Sequence, residues 1–162
     1  RLFNAASVGG ADKFLDCFIK PKRMVLLQEV LQELVVSMLS CHDVAKLPEA
    51  VFHAFVLGLL ANLRRIYEIR SNAEAGYGGA DIIMRPKHPD YPTAFVIEFK
   101  AAKEEADVDK ALDDAEAQIA AKRYSVPLVE SGVAPEHIQK ITVAIAGKTV
   151  GVRFLERSNG GA

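Results

Sequence analysis

The chain is poor in cysteine, in net charge and in uninterrupted apolar sequence, and each shortage closes off a class of protein. Its two cysteines, Cys17 and Cys41, make no CxxC or paired-histidine spacing. They read as two buried, reduced thiols of a cytosolic protein. Twenty basic residues against 21 acidic ones leave a formal net charge of -1, a weak footprint for a protein that grips nucleic acid by charge alone. If nucleic acid is the substrate, bound metal, a local patch or a partner must supply the attraction. The apolar stretch from Met24 to Leu39 is broken by Gln28, Glu29, Gln32 and Glu33, which excludes a membrane span. No apolar leader follows Arg1-Leu2-Phe3-Asn4, so no secretory signal is expected and the cytoplasm is the expected compartment. The chain does not begin with Met, as expected of a fragment of something longer or of a trimmed chain. No internal repeat appears. The run Gly76-x-Gly78-Gly79 lacks a following Lys-Ser/Thr, so it is not a phosphate-binding loop and no ATP site is expected.

What is present describes one α/β domain. The chain has 162 residues, half of them hydrophobic and a quarter charged, an ordinary balance for a single core. Leu27, Leu31, Leu34 and Met38 recur at helical spacing. A second helix is predicted from Pro48, through Val51, Phe52, Phe55, Leu59 and Leu63, to about Arg65. Tyr67 to Ser71 alternates like a strand, the glycine-bearing segment from Asn72 to Gly79 reads as a turn, and Asp81 to Met84 as a second strand. Thr93 to Lys100 is the clearest strand. Val108, Leu112, Ala115 and Ile119 stripe a helix whose acidic start suits the macrodipole. Ile141 to Ala146 and Thr149 to Leu155 flank Gly147-Lys148, a hairpin signal. Residues 1–44 are expected to form a helical N-terminal extension or linker, 45–157 the α/β domain and 158–162 a disordered tail.

The third strand carries the chemistry. Thr93, Phe95, Ile97 and Phe99 share one of its faces, and Ala94, Val96, Glu98 and Lys100 the other. Charges in so apolar a strand are expected to be paired or to ligate a metal. Asp81 opens the preceding strand, and a hairpin connection would set it beside Glu98. Two converging carboxylates suit a divalent cation that activates water against a phosphodiester, and Lys100 suits the charge that develops on phosphate. A structural Glu-Lys ion pair is the plainer alternative at the same residues. Arg64-Arg65, Lys20-Pro21-Lys22-Arg23 and Lys122-Arg123 read as solvated faces.

Asp81 followed by Val96-Ile97-Glu98-Phe99-Lys100 resembles the PD-(D/E)XK nuclease superfamily. The stretch from Ser71 to Ile82, Glu49-Ala50-Val51-Phe52-His53 with Gly58-Leu59-Leu60, and Gly147-Lys148 are similar to a subgroup usually found C-terminal to an AAA-type ATPase-like domain. The resemblance runs from about residue 25 onward. It implies a restriction-endonuclease-like core of order α-β-β-β-α-β, a central mixed sheet flanked by helices. It implies a metal-dependent nuclease acting on nucleic acid, DNA above all, with Mg²⁺ or Mn²⁺ held by Asp81 and Glu98 and with Lys100 catalytic. An ATPase domain upstream is the implied partner. Glu49 matches an acidic residue that joins the site from the helix before the sheet, and His53 lies four residues on, on the same helical face. Many relatives carry a Gln, then a Tyr, on the helix after the Glu-x-Lys strand. Gln118 and Tyr124 match these, although the better-known four-residue interval sets Lys122 opposite Gln118. Gly79 stands where many subgroup members have Arg. The same fold also serves silent nucleic-acid-binding or regulatory modules attached to an ATPase, which is the alternative function.

Overall fold

The computed structural model describes residues 5–42, 48–73 and 80–157. Among these are helices α1 (Ala5–Ile19), α2 (Leu27–His42) and α3 (Glu49–Leu60), strands β1 (Tyr67–Ala73), β2 (Ala80–Pro86) and β3 (Ala94–Ala101), helices α4 (Val108–Lys122) and α5 (Ser125–Glu130), and strands β4 (Ile138–Ala146) and β5 (Thr149–Phe154). From α3 onward the order is the expected α-β-β-β-α-β, with α5 and β5 added. The turn predicted over Asn72 to Gly79, the 44/45 boundary and the tail 158–162 fall wholly or partly outside the described residues, as does Gly79.

The five strands form one mixed sheet in sequence order. β1–β2, β2–β3 and β4–β5 pair antiparallel, and β3–β4 pair in parallel. A parallel pair cannot be closed by a tight turn, so α4 supplies the crossover. The hairpin at Gly147-Lys148 forms as predicted, with Gly147 in the left-handed region at φ +57°, where a side chain would be strained.

One face of the sheet is mainly apolar. Phe95, Ile97 and Phe99 of β3 and Ile141, Val143 and Ile145 of β4 pack under α1, α2 and α3 in a single cluster. Phe18 meets Phe95 edge to face at 5.1 Å and Phe52 meets Phe99 at 5.8 Å, the geometry that aromatic quadrupoles favour. Cys17 is buried in this cluster, and burial pushes its thiol up to about 11, which keeps it protonated and unreactive. The side chain of Cys41 lies outside the described residues. The opposite face is covered by α4, whose stripe of Val108, Leu112, Ala115 and Ile119 is buried as the periodicity requires. β5 runs close beneath this helix: a Cβ on Gly151 would stand 2.6 Å from Val108 Cγ1, so only glycine fits.

α1 falls within the segment 1–44 expected to be helical, and one local expectation is corrected. The helix from Pro48 ends at Leu60 and continues as a 3-10 turn over Ala61–Leu63, short of Arg65. Gln28 and Gln32, which interrupt the apolar stretch of α2, reach the sheet edge: their side-chain oxygens accept the backbone N–H groups of Val152 and Val150 at 3.0 and 2.9 Å. Four helical residues rise about 6 Å and two strand residues about 6.8 Å, so one turn of α2 matches alternate amides of β5.

Candidate active site

The β2–β3 register sets Asp81 directly opposite Glu98. Strand alternation turns both toward α4, and both are 0% exposed. Two carboxylates so placed repel each other and have lost their water. Burial is the larger influence on Glu98: it pushes the carboxyl up to about 7, with Lys122 pulling it down and the Asp81 charge raising it further.

The cation that meets them is Lys122, at the end of α4. Its Nζ donates to Asp81 Oδ2 at 3.1 Å and to Glu98 Oε1 at 3.3 Å. Burial alone would lower this ammonium, but the hydrogen bond to Asp81 and the two negative charges outweigh it and raise its pKa. Tyr124 donates its hydroxyl to the same Asp81 oxygen, and its ring lies 5.7 Å from the Lys122 Nζ. Burial first, and then the Asp81 hydrogen bond and charge, push the Tyr124 phenol up to about 12. Lys122 therefore does not belong to a solvated face. The helix ends just beyond it because Arg123 adopts a left-handed conformation, φ 49°, which delivers Lys122 and Tyr124 from consecutive elements to one point.

The remaining predicted residues are distributed around this point. Lys100 follows Glu98 on the same face of β3, opposite Ala144 of β4, and its charge helps to lower the Glu98 pKa. Gln118 lies one turn before Lys122, with a buried Oε1 that has no hydrogen-bond partner. Glu49 is not brought to the carboxylate pair: its Oε2 accepts the backbone N–H of Ala101 at 2.9 Å, one residue past Lys100. His53 supports the site from the apolar face. Its ring packs on Phe99 at 5.5 Å, and its Nε2 stands 3.3 Å from the Asp81 carbonyl and 3.1 Å from Ser71 Oγ. Thr142, level with Glu98 on β4, is fully buried with an unpartnered hydroxyl. Lys122 had a sequence signal in its spacing from Gln118. Thr142 had one in its interruption of an apolar strand. Ser71 had none.

Beside Tyr124 opens a cleft of about 190 Å³, lined among others by Arg70, Ile83, Arg85 and Leu128. Glu68 accepts both guanidiniums, Arg70 at 2.7 Å and Arg85 as its second partner, which leaves this cluster with one net positive charge. Arg85 and Ser131 also line a second hollow of about 320 Å³ that contains Lys87, His88 and His137. Arg85 and Ser131 thus join the two hollows, which between them carry Arg70, Arg85 and Lys87.

The donor set fits a hard divalent cation. Glu98 Oε2, Gln118 Oε1 and Thr142 Oγ1 are buried oxygens without partners, and buried polar atoms are seldom left so. Two carboxylates with neutral oxygens are what Mg²⁺ or Mn²⁺ takes, water completing the shell. Among the described residues no group of three or more His, Cys, Asp and Glu side chains gathers as a ready metal cage; the carboxylates here number two.

The pattern of the PD-(D/E)XK nuclease superfamily matches residues 47–154, and the chain belongs to that superfamily. Its architecture, a mixed sheet flanked by helices, is the restriction-endonuclease-like one. Members are nuclease-type hydrolases of nucleic acid that generally use divalent metal ions. No curated protein and no solved structure matches the chain. Among the described residues no helix is long and apolar enough to cross a membrane.

Proposed function

We propose that this protein is a Mg²⁺- or Mn²⁺-dependent nuclease that hydrolyses DNA phosphodiester bonds, with Asp81 and Glu98 holding the cation. The observation that carries the reading is the buried, register-matched carboxylate pair with the unpartnered Glu98 Oε2 beside it. When bound, the metal supplies a Lewis acid for the phosphoryl oxygen and a more acidic water. Lys100 orients that water or balances the charge that grows on the phosphate. Gln118 offers its buried oxygen from α4. Glu49 completes the set from the rim by leaving the Ala101 amide. The arginine-lined cleft beside Tyr124 takes the phosphodiester strand next to the scissile bond, which answers the near-neutral net charge with a local patch.

The cytoplasm is the proposed compartment, and an AAA-type ATPase domain, upstream or on another chain, the proposed partner. A second reading, a catalytically silent binding or regulatory module of that ATPase, draws on one observation: Lys122 already bridges the two carboxylates. Plasmid cleavage in Mg²⁺ or Mn²⁺ separates the two. The nuclease reading expects activity that chelation abolishes, and that Asp81→Ala, Glu98→Ala and Lys100→Ala each lower by about a thousandfold or more. Equal traces from wild type and Glu98→Ala would mark contamination and leave the silent module standing.

A further inference from the structure

The proposed nuclease reading leaves one group unexplained. A single ammonium bridges Asp81 and Glu98 at 3.1 and 3.3 Å, in the position from which a cation would be shared between them. We propose that Lys122 is a resident counter-ion of this site, held by the two carboxylates when no metal is bound and expelled when a divalent cation takes them. The inference rests on the nuclease reading, since it needs the carboxylates to be metal ligands.

Four observations carry it. Asp81 and Glu98 are completely buried, and two such carboxylates without an opposite charge would carry a desolvation cost that their burial cannot repay. Lys122 supplies that charge. Its side chain is 29% exposed, so its stem lies at the mouth of the site and a rotation about its own bonds suffices to carry the ammonium into water. The helix ends at this residue, which leaves no following turn of α4 to obstruct that swing. Finally, Lys122 satisfies the site only in part: Glu98 Oε2, Gln118 Oε1 and Thr142 Oγ1 stay without partners. A divalent ion carries twice the charge and accepts more oxygens than an ammonium has protons to donate. Tyr124, on the same Asp81 oxygen, is a neutral donor and is retained in either state.

Opposite signs separate this role from a structural one. A residue that merely braces the site would weaken metal binding when lost. A competing counter-ion would strengthen it. Lys122→Met keeps the length of the stem and removes the charge, and it should tighten Mn²⁺ binding, measured by calorimetry, by about tenfold. The metal-free variant should melt lower than wild type, and Mn²⁺ should restore it. Lys122→Arg retains the charge and should bind Mn²⁺ like wild type. Equal or weaker binding by Lys122→Met, with wild type binding normally, overturns the proposal and leaves the metal site intact. Absence of Mn²⁺ binding by both overturns the metal reading and this inference with it. A measurement on wild type does not depend on the variant folding. Acetylation of Lys122, read by mass spectrometry against exposed Lys87 and Lys110, should be suppressed without metal and rise several-fold with Mg²⁺. Unchanged labelling while Mg²⁺ is bound would overturn the exchange.

Discussion

The two faces of the sheet are built to different rules. Under α1, α2 and α3 lies one continuous apolar cluster, closed by edge-to-face aromatic contacts. Under α4 the apolar residues fall into two smaller groups, Ala94, Val96, Ile119, Leu128 and Ile138 in one, Val108, Ala111, Leu112, Ala144 and Ala146 in the other. Along β4, Thr142 stands between them, level with Glu98 of β3. The polar inclusion that carries the chemistry thus divides the core on its own side. The strands are common to both faces, so the first face holds rigid what the second must position. His53 makes the link visible: it packs on Phe99 of the apolar face while reaching the backbone of Asp81.

This division predicts that damage to the two faces will look different. Phe95→Ala on the apolar face should cost about 3–5 kcal/mol by chemical denaturation, through lost burial, a cavity and the lost Phe18 contact. A cost under 1 kcal/mol would mean that the α1 packing is not part of the stable core.

The polar face should reveal itself through pH. Glu98 has a folded pKa of about 7, above its ordinary 4.5, so the folded state holds the proton more tightly than the unfolded chain. The associated stability is fully present below pH 4.5 and is lost as pH rises through 7, a change of roughly 3 kcal/mol in metal-free protein. Glu98→Gln keeps an acceptor for Lys122 and should flatten that segment of the pH–stability curve. A wild-type curve already flat between those values would contradict the burial of an ionisable pair.

The smallest effect belongs to the sheet edge. Gln32→Ala should cost about 1 kcal/mol and speed hydrogen exchange at Val150, with the carboxylate site unaffected.

The elements that were legible in the sequence share a property: their signal is local. Strand alternation placed Glu98 and Lys100 on one face, and the short connection from Asp81 set the carboxylates together. The stripe from Val108 to Ile119 fixed the face of α4. Within the segment expected to be helical, the bounds of α1 were obscured because Gly9 and Gly10 lie within it, and glycine is a poor helix former, although Phe14 and Phe18 sit one turn apart and both are buried. α5 was obscured because Pro127 reads as a break, yet it lies in the first turn, where its missing N–H costs nothing. The convergence of Lys122 on two strands was beyond reach for another reason. The four-residue interval from Gln118 singled Lys122 out, but its meeting with both carboxylates depends on where a helix ends in space after a parallel crossover. The Gln28 and Gln32 contacts with β5 are equally remote, and the same physics hides them.

Those two glutamines have a consequence for association. An outermost strand normally offers alternate N–H and C=O groups to any extended chain that passes, including another copy of itself. On β5 two of those amides are already engaged, and Gln32 also donates to the Lys148 carbonyl. The helix thereby plays the part of a sixth strand that cannot itself be extended, and the sheet is sealed against templated growth on that side. The seal is register-specific: one residue inserted into β5 would rotate both amides away and reopen the border to edge-to-edge pairing.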